Sequence, residues 1–192
     1  MGTRLFAAIV PPEDALEHLE DFLEPRREAA PDFRWTLADQ LHVTLAFMAS
    51  VEDHLVDEYV DRLTDGLART PVPVVQLGGP VAFPDAHRTR VLATGVLPVS
   101  EAADVVLERV VGRARNAAVT VGTEVDGQRF RPHLTLARLR QAADTTSWVR
   151  LLETYVGPEW PVVEVAVIAS HLGQGPRNRP RYETLAEIPL GM

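Results

Sequence analysis

Hydrophobic positions recur along this chain with two periods, one typical of helices and one typical of strands. Leucine, valine and aromatic residues return every three or four positions among acidic residues in four segments, which predicts amphipathic helices. Shorter apolar runs bounded by proline, glycine and polar residues predict strands between them. The predicted helices cover residues 13–28, 51–67, 101–117 and 145–155. The predicted strands cover residues 5–10, 41–48, 72–83, 90–96, 132–137, 162–169 and 182–188.

The order of these elements indicates a fold class. Strands and helices alternate loosely, without the regular crossover spacing or glycine-rich first turn of a dinucleotide-binding fold, so we predict an α+β fold with mainly antiparallel sheets. No long linker or low-complexity tract divides the 192 residues. The length suits one domain or two small, closely packed lobes. Residues 173–180, rich in glycine, proline and arginine, are predicted to form a loop.

Composition excludes several kinds of chemistry. The chain has no cysteine, which excludes disulfides, thiolate metal sites and cysteine nucleophiles. No apolar run is long enough to span a bilayer, and the first residues lack the apolar core and cleavage site of a secretory signal. We therefore expect a cytoplasmic protein with no membrane partner. All 19 basic residues are arginine, so an anion site must use arginine, histidine or backbone amides.

Charge is distributed unevenly along the chain. The net charge is −8, and residues 1–70 hold 15 acids and 6 arginines, whereas residues 71–192 hold 12 acids and 13 arginines. An acidic protein is not expected to follow long duplexes through its overall field. A local cluster of positive charge can still bind an anion. Four arginines lie within residues 129–140 without an acid among them.

Two seven-residue segments resemble each other. Residues 41–47 read Leu-His-Val-Thr-Leu-Ala-Phe, and residues 132–138 read Pro-His-Leu-Thr-Leu-Ala-Arg. Their histidines are 91 residues apart, about half the chain, as a duplicated two-lobe architecture requires. Because residues i and i+2 of a strand share a face, each copy presents an imidazole and a hydroxyl together. The pairs are His42 with Thr44 and His133 with Thr135.

Two imidazoles and two hydroxyls that face one cleft suit phosphoester chemistry. One histidine can accept a proton from water while the other donates a proton to the leaving oxygen, since both titrate near neutrality. The threonine hydroxyls can donate hydrogen bonds to phosphoryl oxygens as charge develops. Two distant histidines with threonine companions make poor metal ligands, so we expect no metal and no other cofactor.

With its two His-x-Thr-x motifs, the chain resembles the 2H phosphoesterase superfamily. Within it, the chain most resembles the RNA 2′,3′-cyclic phosphodiesterases, historically called 2′-5′ RNA ligases. Residues 4–9, 130–138, 170–172 and 182–185 resemble the opening strand, the second motif and the closing strands of that family. The resemblance implies a bilobal, pseudo-twofold α+β fold with two mainly antiparallel sheets, helices on the outer faces and a central cleft. It also implies a single domain, residues 1–192, made of two interleaved lobes with one motif each.

The resemblance further implies a reaction, the opening of an RNA 2′,3′-cyclic phosphate end to a 2′-phosphomonoester without a metal. In the family pattern, His42 donates a proton to the leaving 3′ oxygen and His133 activates water. Arg138, five residues after His133, falls where the family places an arginine that contacts substrate. The expected substrate-binding residues are Thr44, Thr135, Arg138, Arg131 and Tyr182.

Two other functions stay open at this point. A related 2H phosphodiesterase could act on another cyclic or 2′-5′ phosphoester, such as ADP-ribose 1″,2″-cyclic phosphate, and a non-catalytic protein could bind RNA ends. Both motifs are intact, which argues against the non-catalytic alternative. The expected partners are RNA 3′ ends or small cyclic nucleotides, and we expect a monomer without an obligatory protein partner.

Overall fold

The computed structural model describes residues 2–30, 32–125 and 130–191, apart from the side chain of Arg177. Within these residues the chain forms nine strands and four α-helices. The strands are β1 (Gly2–Ile9), β2 (Phe33–Trp35), β3 (Val43–Glu52), β4 (Val74–Phe83), β5 (Thr89–Pro98), β6 (His133–Ala143), β7 (Val156–Pro161), β8 (Glu164–His171) and β9 (Arg181–Pro189). The helices are α1 (Glu13–Arg27), α2 (Val56–Leu67), α3 (Glu101–Thr120) and α4 (Thr146–Leu152).

Several details differ from the sequence-based prediction, among them that β6 continues to Ala143, six residues beyond its predicted end. The second helix does not begin at residue 51, because β3 continues to Glu52 and a short 3-10 turn separates it from α2. Helix α4 ends at Leu152, three residues before the predicted end. Strands β2 and β7 were not predicted. Strand β2 has only three residues, and β7 contains one glycine and two prolines, residue types that are depleted in strands.

The strands form two antiparallel sheets with the orders β3-β1-β8-β9 and β2-β6-β5-β4-β7. Each motif strand lies beside the strand that opens its half of the chain, β3 beside β1 and β6 beside β5. A helix connects the two strands in each half, α1 in the first and α3 in the second. This repeated order confirms the predicted α+β fold with two antiparallel sheets and a pseudo-twofold arrangement.

The short strand β2 joins the two halves. It follows α1 in the first half but pairs with β6 in the second sheet, where Arg34 lies opposite Arg138 and Trp35 opposite Ala137. The amide of the next residue, Thr36, donates to the carbonyl of Leu136 at 2.8 Å. The chain then crosses to the first sheet and enters β3. This crossing brings the first motif close to the second.

The main core lies on one face of each sheet, under the helices. On β1, Leu5 and Ile9 point into this core, whereas Phe6 and Ala8 point to the opposite face. This is the alternation expected of a strand. Fully burying one large aliphatic side chain stabilises a fold by about 1.5–3 kcal/mol. The opposite face carries a smaller apolar cluster, made of Phe6, Ala8, Ala166 and Ile168 with Phe47 and Tyr182 packed against it.

Helix α3 is the longest described helix, with 20 residues. Its first turn is capped by Ser100, whose hydroxyl accepts a hydrogen bond from the amide of Ala103 at 3.1 Å. Leu107 and Ala114 are buried, while Arg109 is exposed to solvent on the other side of the helix. In the described ranges, no helix is long and apolar enough to cross a membrane.

Candidate active site

A β-bulge follows the threonine in each motif strand. In β3, Thr44 pairs with Ala8 while Ala46 pairs with Ala7, so one residue of β3 has no partner. In β6, Thr135 pairs with Ala93 while Ala137 pairs with Leu92, which again leaves one extra residue. An extra residue in one strand exchanges the faces of every side chain that follows it.

The bulges turn the residue three positions after each threonine onto the face of the motif. Without the bulge, strict alternation from His133 would place Arg138 on the core face with Leu134. In the structure Leu134 is buried, whereas Arg138 is exposed and Leu139 takes the buried position. In β3 the same change turns Phe47 onto the apolar cluster that contains Phe6.

Both motif histidines are held by the same kind of backbone hydrogen bond. Nδ1 of His42 lies 2.8 Å from the carbonyl oxygen of Gln40, and Nδ1 of His133 lies 2.7 Å from the carbonyl oxygen of Arg131. Because a carbonyl only accepts, each Nδ1 carries a proton, and in the neutral ring Nε2 is the nitrogen with a free lone pair. Both histidines therefore adopt the same tautomer.

Aromatic side chains orient the two imidazoles. The ring of His42 stacks on Phe6 with centroids 4.6 Å apart, and Tyr182 meets it edge-on at 5.5 Å. The ring of His133 meets Phe83 edge-on at 4.9 Å. The role of Phe83 could not be inferred from the sequence, because it depends on the pairing of β4 with β5.

The two histidines lie close enough to influence each other. Burial is the main cause that lowers the pKa of His42, the charges of Arg138 and His133 lower it further, and the hydrogen bond to Gln40 opposes them. Burial also lowers the pKa of His133, with help from Arg131 and Arg138 and against its own backbone hydrogen bond. Both imidazoles are therefore mostly neutral at pH 7.

Arg138 is the cation that these groups share. Besides both histidines, it acts on Tyr182, whose pKa is raised by burial and lowered by Arg138 and Arg4. The guanidinium of Arg4 also lies 4.4 Å from the ring centroid of Phe47. The site thus combines two neutral imidazoles with positive charge, an environment that favours an anionic ligand.

The structure brings the predicted site residues together. Thr44 and Thr135 are half-buried on the same faces as their histidines, and within the described ranges neither hydroxyl has a hydrogen-bond partner. Both hydroxyls are thus available to a ligand. Arg131 is exposed beside His133, with its guanidinium 5.5 Å from the ring centroid of Phe83. Arg129, a member of the predicted arginine cluster, lies outside the described residues.

The predicted loop at residues 173–180 is fastened next to the site. The side-chain amide of Gln40 donates to the backbone carbonyl of Pro180 at 2.7 Å. The Arg179 guanidinium donates to the backbone carbonyl of Trp35 at 2.9 Å. Because the carbonyl of Gln40 also holds His42, this contact links the loop to the first motif. Nothing in the sequence indicates these long-range bonds.

No metal site is evident in the part of the chain that the structure describes. Among those residues, no group of three or more histidine, aspartate or glutamate side chains is placed to hold a metal ion. His42 directly precedes β3 of one sheet and His133 begins β6 of the other. The permanently charged groups that shift their pKa values are the arginines Arg131 and Arg138.

The structure has two antiparallel sheets with one His-x-Thr motif each, and the two histidines lie close together. This arrangement is that of a 2H phosphoesterase. The chain belongs to the 2′-5′ RNA ligase superfamily, whose family model matches residues 10–174 and so includes both motifs. It is 31% identical over 150 residues to an RNA 2′,3′-cyclic phosphodiesterase of Aeropyrum pernix, covering 78% of this chain and 82% of that protein. It is 25% identical over 187 residues to an RNA 2′,3′-cyclic phosphodiesterase of Geobacillus stearothermophilus, covering 96% of this chain but 56% of that protein.

Solved structures show the same fold. E. coli LigT in its apo form superposes with a TM-score of 0.75 at 22% identity, covering 100% of this chain and 99% of LigT. A protein of Thermus thermophilus superposes with a TM-score of 0.71 at 26% identity, covering 97% of each chain. The likeness of fold therefore extends over both sheets.

Proposed function

We propose that this protein hydrolyses RNA 2′,3′-cyclic phosphate ends to 2′-phosphomonoesters by two-histidine acid–base catalysis without a metal. The observation that carries the proposal is the matched pair of histidines. His42 and His133 each donate Nδ1–H to a carbonyl, which leaves Nε2 as the free ring nitrogen, and the charge of Arg138 acts on both rings. The two relatives named as RNA 2′,3′-cyclic phosphodiesterases support the substrate class.

In the proposed reaction, water attacks phosphorus and the bond from phosphorus to the 3′ oxygen breaks. Nε2 of His133 takes a proton from the water, and Nε2 of His42 gives a proton to the leaving 3′ oxygen. The products are a 2′-phosphate and a 3′-hydroxyl. His133 then releases its proton to solvent and His42 takes one up, which returns both histidines to their starting protonation states. The step needs one imidazolium, and the negative charge of a bound phosphodiester favours it by raising the pKa of the nearer histidine.

The remaining site residues bind the phosphate in this proposal. The hydroxyls of Thr44 and Thr135 donate hydrogen bonds to the two non-bridging oxygens, whose negative charge grows as water adds. The guanidinium of Arg138 balances that charge, since its planar fork matches phosphate geometry. Tyr182 holds the ring of His42 and borders the substrate, and exposed Arg131 contacts the nucleotide beyond the reacting phosphate.

We further propose that residues 1–192 act as one domain with two interleaved lobes, and as a monomer. The crossing of β2 into the second sheet supports the interleaving, because neither sheet is built from one half of the chain alone. Each lobe supplies one histidine and one threonine, so neither lobe is expected to be active without the other.

The test is hydrolysis of an oligoribonucleotide with a 2′,3′-cyclic phosphate end in excess EDTA, with the product identified by phosphorus NMR. The wild type is compared with His42→Ala and His133→Ala, and His54→Ala is the matched control because its side chain is exposed and pairs with Glu52 on the surface. We expect a 2′-phosphate from the wild type and the control, and loss of turnover in both motif variants with unchanged circular dichroism.

Three results contradict the proposal. No turnover by a folded wild type rules out this substrate, and turnover that survives either motif variant rules out the two-histidine mechanism. Turnover that requires an added divalent cation rules out the metal-independent reaction.

A further inference from the structure

An open depression lies next to the candidate active site, between β2, the far end of β6 and the loop at residues 178–179. Its volume is about 990 Å³, and Arg34, Arg140, Gln141, Asn178 and Arg179 are among its lining residues. Because β6 runs from His133 through Arg138 to Ala143, the depression borders this strand just beyond Arg138, at the end away from His133.

Three exposed arginines lie beside this depression, on the face of the sheet that carries the second motif. Beyond the bulge, Arg138 and Arg140 are two positions apart on β6 and so share a side, and both are exposed. Arg34 pairs directly opposite Arg138 on the neighbouring strand β2, which places its side chain on the same side of the sheet. Like charges opposite each other destabilise a sheet, so the fold tolerates this arrangement at some cost.

These guanidinium groups lack acidic partners. Among residues 2–30, 32–125 and 130–191, no carboxylate forms an ion pair with Arg34, Arg138 or Arg140, although the net charge of the chain is −8. The one acidic lining residue, Asp32, makes no ion pair with them. Arg90 adds a fourth guanidinium nearby, since it donates to the carbonyl of Arg140 at 2.7 Å. An uncompensated positive surface is thus built at one end of the site.

We propose that this depression binds the phosphodiester backbone of an RNA strand upstream of its cyclic phosphate end, with Arg34 and Arg140 as the phosphate ligands. Two positions of a strand span about 6.5 Å, so Arg138 and Arg140 are spaced to meet successive backbone phosphates of an extended strand. The inference rests on the proposed function and deepens it, because it makes an oligonucleotide rather than a mononucleotide the preferred substrate.

The test compares kcat/KM for a nucleoside 2′,3′-cyclic monophosphate and for a pentanucleotide ending in a 2′,3′-cyclic phosphate. The variants are Arg34→Gln, Arg140→Gln and their combination, and Arg109→Gln is the matched control because it removes one exposed arginine from α3. We expect each subsite variant to lose roughly threefold to tenfold in kcat/KM on the pentanucleotide, through KM, as an exposed charge-assisted contact predicts. The monophosphate has no upstream phosphate, so the loss is confined to the pentanucleotide.

A second readout is the salt dependence of pentanucleotide KM. Each phosphate contact to a single strand contributes about 0.7 to the slope of log affinity against log salt, so each variant should reduce the slope by about that amount. Thermal melting controls for folding, and removal of Arg34 should leave the melting temperature unchanged or raise it, because a repulsion with Arg138 disappears.

The outcomes separate the inference from the function on which it rests. If the wild type hydrolyses both substrates and the variants match it on both, the inference is wrong and the proposed function stands. If the control loses as much as the subsite variants, the effect comes from net charge and the inference is wrong. If a folded wild type hydrolyses neither substrate, the proposed function itself fails.

Discussion

The two motif strands follow one backbone plan and differ in the side chains that complete it. At the start of β3 and of β6 alike, a histidine is held through Nδ1 by the carbonyl two residues before it, a threonine follows, and a bulge turns a further residue onto the same face. That further residue is Phe47 in β3 and Arg138 in β6. The backbone is therefore repeated, whereas the charge is not.

The surroundings of the two histidines also differ, with more aromatic contacts at His42 and an adjacent arginine at His133. His42 lies between Phe6 and Tyr182 just before an edge strand, whereas His133 meets one aromatic ring and begins an interior strand beside Arg131. A symmetric backbone thus supplies two equivalent proton-transfer groups. The asymmetric side chains give them different roles, since one half of the site is mainly apolar and the other mainly cationic.

The largest expected effect separates the proton donor from the proton acceptor. Replacing either His42 or His133 by alanine should reduce kcat about 10²- to 10⁴-fold on the natural phosphoester. A cyclic substrate with sulfur in place of the 3′ oxygen has a leaving group that needs no proton. His42→Ala should recover activity on this substrate and His133→Ala should not, as measured by thiol release. Equal recovery, or recovery of His133→Ala alone, would contradict the assigned roles.

The threonines test whether the repeated part of the site works symmetrically. Thr44→Val and Thr135→Val keep the shape of each side chain but remove a hydroxyl that has no partner within the described residues. Each should reduce kcat by about 10²-fold, as expected for one donor to a developing oxyanion. The serine variants at the same positions are the controls and should retain most activity. A loss at only one threonine would show that the phosphate contacts one half of the site.

Replacing Arg138, which the bulge in β6 turns onto the face of the motif, tests the asymmetric part of the site. The charge of Arg138 lowers the pKa of both histidines, so Arg138→Gln should raise both. An acid histidine loses activity as pH rises through its pKa. Burial holds the pKa of His42 below its ordinary value, so the fall in wild-type kcat/KM should already begin below about pH 6.5. In Arg138→Gln this limb should move to higher pH, with kcat/KM reduced about tenfold for the lost phosphate contact. Phe47→Leu is the matched variant and should leave the limb in place; an unmoved limb in Arg138→Gln would contradict the shared influence of this cation.

The smallest expected effect is on stability. The pKa of His42 and of His133 is lower in the folded protein than its ordinary value of about 6.5, so the unfolded chain binds more protons in the window below that value. The free energy of unfolding should therefore decrease as pH falls from 7.5 to 5.5, as measured by urea denaturation. The double variant with glutamine at both positions should lose less over the same interval. A decrease of the same size in that variant would assign the effect to other groups.

Much of this site could be predicted because its signal is local. The spacing of His42 and Thr44, repeated at His133 and Thr135, needs only the alternation of a strand to place each pair on one face. The predicted two-sheet α+β fold is confirmed. It could be predicted because the periods of apolar residues in helices and strands, and the prolines and glycines between them, are visible in the sequence. The errors include the three-residue strand β2 and the proline-containing strand β7, which have no clear local pattern, and the bounds of α2 and α4.

The sequence by itself determined which residue types can carry the chemistry, in which strands they lie and that they occur twice. Only the tertiary structure decided that β2 crosses into the second sheet, that Phe6 and Phe83 orient the imidazoles, and that Arg34 lies opposite Arg138. It also decided, through the two bulges, which face the later residues occupy. The physical reason is that strand pairing and bulges are set by contacts between distant segments, which leave no periodic trace in either segment alone.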